Sequence, residues 1–280
     1  MTLSILSFTL LVWLGSVLGG LLGSLTGLGG GVIIVPLLTL VFGVDIRYAV
    51  GASLVSVIAT SSGAAAAYVK EGFTNTRIAM FLQVFTTVGA LVGAFLAGVV
   101  SGSVIAIIFG LVLLYTVLSS YRQVAPEQLH PEPDKLATRL RMNGSYPSLT
   151  GIKAYFPRAV PVGASLMFLA GALSGLLGIG SGTVKVLAMD RAMRLPFKVS
   201  TTTSNLMIGV TAAASAGAYF SRGWVDPGLA MPVMLGVLLG SVIGARLLTV
   251  TPSAKLRQVF NVVILIVGLE MLFNGLTGRI

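Results

Sequence analysis

The sequence GLGGG at residues 27–31 and the sequence GIGSG at residues 178–182 each interrupt an apolar stretch that could lie in a bilayer. Glycine has no Cβ atom and accepts positive φ, so a cluster of glycines favours an unwound turn within a helix. Inside a membrane, unwound backbone is tolerated only where protein covers it or where it lines a polar cavity. We therefore interpret both stretches as breaks in membrane helices, with new helices predicted at Val32–Val44 and Thr183–Ala188.

The composition of the chain identifies it as an integral membrane protein. Hydrophobic residues make up 55% of the 280 residues and charged residues make up 9%, and the mean hydropathy is +0.98. Soluble domains contain about 25% charged residues, so this chain could not cover its surface in water. The lipid bilayer is therefore an expected partner. The sequence has no cysteine and no metal-ligating cluster within its apolar segments, so we expect neither a metal site nor a cofactor.

The charge balance is strongly basic, with 18 Lys and Arg residues against 8 Asp and Glu residues. No basic helix with interleaved aromatic residues is present, so nucleic acid is not an expected partner. We interpret the excess as the positive-inside bias of membrane proteins. Basic residues concentrate in 122–158 and in the turn that contains Arg191, Arg194 and Lys198. Both of these regions are therefore predicted to be cytoplasmic.

Ten apolar segments predict an all-α polytopic membrane protein made of two repeats of five segments, each repeat beginning with a glycine-broken helical hairpin. About 20 residues are needed to cross the hydrocarbon, so the second segment of each set is short for a full span. A first transmembrane repeat is predicted at 1–121, a connecting loop at 122–158 with a short interfacial helix near Lys135–Met142, and a second repeat at 159–280. The segments lie near 4–26, 31–44, 47–69, 77–100, 103–121, 159–177, 182–190, 198–220, 227–250 and 256–276.

An internal repeat relates the two halves with a constant offset of 151 residues, so that Ser53 falls on Ser204 and Thr60 on Thr211. If both basic regions are cytoplasmic, each half crosses the membrane an odd net number of times. The halves are then inverted relative to each other, with both termini extracytoplasmic. Inverted repeats with broken helices are typical of secondary transporters, whose sites lie near the midplane. Close helix packing by small residues is the alternative role for glycines, and we favour it for Gly89, Gly93, Gly240 and Gly244.

Lys185 is the sharpest single candidate, because a lysine in the hydrocarbon costs several kcal/mol unless it is paired or lies in a wet cavity. Snorkelling of the side chain to the interface is the alternative interpretation. Hydroxyl and amide groups in the third segment of each half could replace part of the hydration of an anion, and new helix starts favour negative charge. The predicted substrate-binding residues are Gly29, Gly30, Gly31, Ser53, Gly180, Ser181, Gly182, Lys185, Thr202, Thr203, Ser204 and Asn205.

Four motifs resemble the sulfite exporter TauE/SafE family (TSUP). GLGGGVIIVPLL at 27–38 and AVGASL at 49–54 are similar to its first half, and GIGSGTVKV at 178–186 and STTTSN at 200–205 to its second half. The resemblance covers nearly the whole chain. It implies a transporter in the bacterial inner membrane for sulfite, an organosulfonate such as sulfoacetate, or thiosulfate. The chain departs from the family pattern at Ser181, where glycine is more common, and at Leu187, which matches Pro36.

The combined hypothesis is a secondary transporter that moves a small sulfur-containing oxyanion by alternating access. An anion channel and a transporter of a non-sulfur organic anion are the alternatives. A membrane-embedded enzyme would need a base, a nucleophile or a metal cluster within the membrane, so we predict that the chain is not an enzyme. The sequence leaves the oligomeric state open, with a homodimer as one arrangement.

Overall fold

The computed structural model describes residues 5–26, 30–70, 73–121, 134–148, 151–248 and 253–280. Helices dominate this part of the chain. They are α1 (Ile5–Thr26), α2 (Gly31–Pro36), α3 (Ile46–Lys70), α4 (Thr76–Leu96), α5 (Gly102–Tyr121), α6 (Lys135–Arg139), α7 (Val160–Leu177), α8 (Gly182–Leu187), α9 (Phe197–Ser221), α10 (Pro227–Leu248) and α11 (Ser253–Leu276). Single π-helical turns at Leu37–Val41 and Ala188–Ala192 continue α2 and α8.

Five helices in the described part of the chain are long and apolar enough to cross a membrane, judged by length and composition. Their outward faces carry large apolar side chains, such as Leu10 and Leu18 of α1, which are 51% and 62% exposed. Such faces suit contact with lipid. The predicted all-α polytopic membrane architecture is therefore confirmed. The five stretches are Ile5–Gly23, Thr76–Leu96, Gly102–Ser119, Val160–Leu177 and Pro227–Gly244.

A β-hairpin in the central region is a feature that the sequence did not predict. Strands β1 (Gly144–Ser148) and β2 (Gly151–Tyr155) pair antiparallel, with Gly144 opposite Tyr155. An isolated two-stranded hairpin is only marginally stable. Here Tyr146 and Tyr155 are buried in an apolar cluster that includes Ile78 of α4 and Met193. The helix predicted near Lys135–Met142 is present in shorter form as α6, and its place at the membrane interface stays a prediction.

Asn75, just before α4, attaches the hairpin to the helices. Its side-chain oxygen accepts hydrogen bonds from the backbone N–H groups of Arg77 and Ile78, which makes it the N-cap of α4. Its amide nitrogen donates to the carbonyl oxygen of Met142 over 3.0 Å and to the phenol of Tyr155 over 2.7 Å. One side chain thus starts a helix and holds the hairpin against it.

The element boundaries repeat at the offset seen in the sequence. Helices α2 and α8, their π-helical turns, and helices α3 and α9 have the same lengths and starting positions after a shift of 151 residues. The contacts repeat as well: α1 packs on α10 and α4 on α7, whereas α3 packs on α9 and α5 on α11. A shift of 151 residues exchanges α3 with α9 and α5 with α11. The same shift relates the α1–α10 pair to the α4–α7 pair. The orientation of the halves across a membrane stays a prediction.

Helices α4 and α7 run parallel and approach closely through glycines. A Cβ atom on Gly89 would meet the backbone of Phe168, and one on Gly93 would meet the backbone of Ala172. Residue numbers therefore increase in the same direction along both helices, as in a parallel pair. These contacts give Gly89 and Gly93 the packing role that was favoured for them. In the same way Gly240 of α10 packs against the backbone of α1 at Val17.

Helices α5 and α11 run antiparallel. A Cβ atom on Gly110 would lie 2.8 Å from the carbonyl oxygen of Gly268, and one on Gly275 would lie 2.9 Å from the carbonyl oxygen of Ser103. Positions in one helix therefore decrease as those in the other increase. A two-fold axis that crosses a helix pair at right angles produces this antiparallel arrangement.

Candidate functional site at the two helix breaks

The second glycine stretch forms a sharp break between α7 and α8. Gly178 and Gly180 both have φ of +69°, and Ser181 has φ of +44°. Side-chain-bearing residues rarely adopt this left-handed region, so the break depends on glycine at two of the three positions. The serine that departs from the family pattern sits in the left-handed conformation all the same. Its hydroxyl donates to the carbonyl oxygen of Ala170 in α7, which ties the break back to the preceding helix.

The first glycine stretch is described only from Gly30 onward. Gly29 lies outside the described residues, so its predicted role in binding stays a prediction. Gly31 begins α2 and is buried against the other break: a Cβ atom there would lie 2.7 Å from the carbonyl oxygen of Gly178 and 2.7 Å from Ser53 Oγ. A Cβ atom on Gly30 would lie 2.7 Å from a methyl group of Val237 in α10. Both glycines are therefore sites of close approach.

Helices α3 and α9 flank the breaks with equivalent residues. A Cβ atom on Gly180 would lie 3.0 Å from Ile208 of α9 and 3.3 Å from Val57 of α3. The hydroxyl of Ser204 donates to the carbonyl oxygen of Gly182 over 3.3 Å. The breaks of the two halves thus meet between these helices. Of the predicted site residues, Gly31, Ser53, Gly180, Ser181, Gly182 and Ser204 are brought together here.

Lys185 projects from α8 into the protein, one turn after the break. Its side chain is 0% exposed, and Nζ donates to Thr211 Oγ1 in α9 over 2.9 Å. The side chain therefore does not reach the surface of the molecule, as snorkelling would require. Lys185 forms no ion pair with any of the described residues. An ammonium group has three donors, and the described side chains fill one of them.

Gln83 of α4 joins Lys185 through the same threonine. Its Nε2 atom donates to Thr211 Oγ1 over 3.1 Å and to Thr87 Oγ1 over 2.8 Å. Its Oε1 atom is buried and has no hydrogen-bond partner among the described residues. Side chains from α4, α8 and α9 therefore form one polar cluster, which we call the Lys185 cluster: Gln83, Thr87, Lys185 and Thr211.

The polar run Thr202–Asn205 does not face a single site. Successive residues of a helix point about 100° apart, and the structure separates them accordingly. The hydroxyl of Thr202 donates back to the carbonyl oxygen of Lys198 over 2.9 Å. Thr203 Oγ1 accepts from the backbone N–H of Asn75 over 3.2 Å. Ser204 contacts the break, and Asn205 is partly exposed.

Sequence reasoning did not include Thr211, Thr87 or Gln83 among the predicted substrate-binding residues. Spacing could have identified Thr211, since it lies seven residues after Ser204 and therefore on the same face of α9. No comparable signal exists for Gln83. Its position depends on the packing of α4 against α9, across 128 residues of sequence.

The arrangement can bind a negative charge. It places a buried ammonium beside hydroxyl groups and an amide, at a point where two broken helices meet. Buried charges in proteins are normally paired, and the described residues supply no carboxylate to this one. Within the described part of the chain, no group of three or more His, Cys, Asp or Glu residues could hold a metal ion.

Comparison with known proteins agrees with this architecture. A sequence profile of the family described as sulfite exporter TauE/SafE matches residues 12–271. The probable membrane transporter protein YunE of Bacillus subtilis (strain 168) is 25% identical over 278 residues, which cover 97% of this chain and 99% of the relative. A probable membrane transporter protein of Xylella fastidiosa (strain 9a5c) is 28% identical over 273 residues, covering 95% and 96%. No solved structure matches.

The helices and the relatives define an integral, multi-pass membrane protein of a transporter class. Since the family profile spans nearly the whole sequence, the chain belongs to the sulfite exporter TauE/SafE family.

Proposed function

We propose that the chain is a secondary transporter that moves a small sulfur-containing oxyanion, such as sulfite, an organosulfonate like sulfoacetate, or thiosulfate, across the bacterial inner membrane by alternating access. The observation that carries the proposal is the buried side chain of Lys185, which bonds to Thr211 but has no carboxylate partner among the described residues. An anionic substrate would supply the missing counter-charge. Its sulfur chemistry rests on the family alone.

The energetics favour an anion at this position. At 4 Å and an effective dielectric constant of 20, an ammonium attracts a unit negative charge by about 4 kcal/mol. This attraction offsets part of the hydration that the anion loses on leaving water. The neighbouring hydroxyl groups add hydrogen bonds that can exchange with water as the substrate enters and leaves.

The burial of Lys185 supports alternating access over an open pore. Its side chain is 0% exposed, so water does not reach it from either side in this conformation. An open anion channel would keep such a site in contact with solvent. The broken helices and the repeated helix packing also support a transporter, because sites at the interface of repeats are typical of that class.

Substitution of Lys185 tests the proposal. Lys185→Ala should weaken substrate binding at least tenfold. Lys185→Arg should retain part of the affinity because the charge survives. Lys185→Glu should bind the substrate more weakly than Lys185→Ala does. Binding and uptake of radiolabelled sulfite, sulfoacetate and thiosulfate would be measured in proteoliposomes. Lys135→Met, which removes an exposed lysine from α6, is the matched control and should behave like the parent.

Two results would overturn the proposal. If the Ala, Arg and Glu variants at equal abundance bound every anion like the parent, Lys185 would not hold the substrate. If the parent only equilibrated the anion and never concentrated it under an imposed ion or proton gradient, the protein would be a channel.

A further inference from the structure

Thr211 serves only as an acceptor towards the other members of the Lys185 cluster. Its hydroxyl proton is used locally, in a 2.7 Å hydrogen bond to the carbonyl oxygen of Met207 one turn earlier in α9. The oxygen therefore receives hydrogen bonds from both of its neighbours, Lys185 Nζ at 2.9 Å and Gln83 Nε2 at 3.1 Å. A hydroxyl group can accept two hydrogen bonds while it donates one.

The structure gives the Gln83 amide one orientation. The nitrogen faces Thr211, which accepts its hydrogen bond while the threonine proton is donated to Met207. The oxygen Oε1 then points to the other side, where it is buried and receives no hydrogen bond from the described residues. A buried acceptor left without a hydrogen bond is costly, so this position favours a ligand that brings a donor.

The cation lies near the Gln83 amide group. Lys185 Nζ and Gln83 Nε2 share Thr211 Oγ1, so these two nitrogens cannot be farther apart than the sum of two hydrogen bonds of 2.9 and 3.1 Å. Because Oε1 belongs to the same amide group, a molecule of a few non-hydrogen atoms could bridge Oε1 and the ammonium. The site requires a different group at each end of such a molecule. A negative charge is needed near the ammonium, and an O–H or N–H group is needed near Gln83 Oε1.

We propose that the Lys185 cluster selects anions that also donate a hydrogen bond, with the anionic group at Lys185 and the donor at Gln83 Oε1. Organic sulfonates with a hydroxyl or amino group have this chemistry, and so does a monoprotonated oxyanion such as hydrogensulfite. Fully deprotonated anions, including thiosulfate and sulfoacetate, and alkyl sulfonates without a donor leave the acceptor empty and should bind less tightly. This inference rests on the proposed function and narrows its substrates to hydrogensulfite and donor-bearing sulfonates at the same site.

Two matched pairs of anions test the selectivity. The organic pair is 2-hydroxyethanesulfonate and propane-1-sulfonate, which differ by a hydroxyl group in place of a methyl group. The inorganic pair is hydrogensulfite, in mildly acidic buffer, and nitrate, a monovalent anion that has no donor. Binding of each anion to the purified full-length protein would be measured by isothermal titration calorimetry and by competition for uptake in proteoliposomes. The two pairs distinguish an organic from an inorganic substrate.

The parent should bind the donor-bearing member of at least one pair at least tenfold more tightly, because a site built to bond a hydroxyl group rejects an analogue that lacks it. Gln83→Met, which keeps the length of the side chain but has no amide, should lose this preference. Val84→Met is the matched control. It places the same new side chain at the next position of α4, where Val84 is 61% exposed, so the preference should survive.

Equal binding of both members of each pair by the parent would overturn the inference without the need for any variant. A preference that persists in Gln83→Met would overturn it too. If Lys185→Ala lost affinity for all four anions while Gln83→Met kept the preference, the proposed function would stand and this inference would fail. If Lys185→Ala bound the anions like the parent, both would be contradicted. If the parent bound none of the four anions, this inference would be overturned, and uptake of sulfoacetate and thiosulfate would decide the proposed function.

Discussion

The hydroxyl of Ser53 donates a hydrogen bond of 2.8 Å to the carbonyl oxygen of Gly178, across 125 residues of sequence. Helix α3 of the first half therefore holds the backbone of the break in the second half. Gly31 lies against the same two groups. The site in one half is thus positioned by residues of the other, which explains why a break can keep a defined shape without regular helical hydrogen bonds.

Gly31→Ala should disturb this junction. The added methyl group would lie 2.7 Å from both the Gly178 carbonyl oxygen and Ser53 Oγ, and neither is the end of a flexible chain. We expect a loss of stability of about 1–3 kcal/mol, typical of overpacking in a tight core, with impaired transport. Thermal unfolding in detergent and uptake in proteoliposomes would measure the two effects.

Gly217→Ala is the matched control for that substitution. Gly217 lies in α9, and a Cβ atom there meets nothing within 4 Å. Alanine favours helix over glycine by about 1 kcal/mol, so this variant should be as stable as the parent or more so. Equal behaviour of the Gly31 and Gly217 variants would show that the junction tolerates a methyl group.

Gln83→Glu should place a fixed negative charge near Lys185, where the anionic substrate is proposed to bind. The new carboxylate would lie near Lys185 and could pair with its ammonium in place of the hydrogen bond to Thr211. We expect the protein without ligand to melt higher by about 2–4 °C, which corresponds to roughly 1 kcal/mol in a protein of this size. Anion binding should fall at least tenfold. Calorimetry and thermal unfolding would measure both, and parental anion affinity in this variant would contradict the expectation.

Asn75→Ala should loosen the hairpin. The substitution removes the N-cap of α4, worth about 1 kcal/mol, and the hydrogen bonds to Met142 and Tyr155. Limited proteolysis should cut the hairpin faster in this variant. Tyr155→Phe removes one of these bonds and keeps the cap, so its effect should be smaller. Unchanged proteolysis of Asn75→Ala would mean that apolar packing alone holds the hairpin.

Alkaline pH should weaken the docking of the hairpin. Burial raises the pKa of the Tyr155 phenol above its usual value of 10.0, and the hydrogen bond from Asn75 only partly opposes this shift. The unfolded chain therefore ionises at lower pH than the folded one. The stabilisation is complete below pH 10 and declines as the pH rises above it. Tyr155→Phe should show a flatter stability profile in that range, and a profile identical to the parent would exclude this phenol as the cause.

The orientation of the chain can be tested by single-cysteine labelling, because the sequence contains no cysteine. Ile152 in the hairpin is 80% exposed, and Thr277 follows the last helix. The charge asymmetry predicts that a membrane-impermeant thiol reagent applied to intact cells reaches Thr277→Cys but not Ile152→Cys. Labelling of both positions, or of Ile152→Cys alone, would break the inverted-repeat hypothesis.

The sequence predicted the helices well because hydropathy and glycine placement are local signals. The predicted segments near 198–220 and 103–121 became α9 (Phe197–Ser221) and α5 (Gly102–Tyr121). The hairpin was missed because its strands are five residues long, and one contains Pro147, which disfavours a strand except at an edge. Its stability comes from tertiary contacts of Tyr146 and Tyr155.

The candidate site was only partly predictable, for geometric reasons. Lys185 stood out because a charge in an apolar segment is rare. Thr202–Asn205 looked like one cluster because the residues are adjacent in sequence, yet a helix turns adjacent side chains to different sides. Gln83 enters the site through the packing of α4 on α9, and no local pattern in the sequence reports that contact.

The glycine contacts between α4 and α7 have a mechanical consequence. Gly89 and Gly93 press against the backbone of α7, and Gly171 and Gly175 press against the backbone of α4. Neither helix can slide past the other without driving a carbonyl oxygen into its neighbour, so we expect the two helices to move together. Helices α1 and α10 form a second pair of this kind, with Gly240 against the carbonyl oxygen of Val17. Each pair takes one helix from each half of the chain. In the proposed alternating-access cycle, the bodies that move would therefore not follow the borders of the sequence repeat.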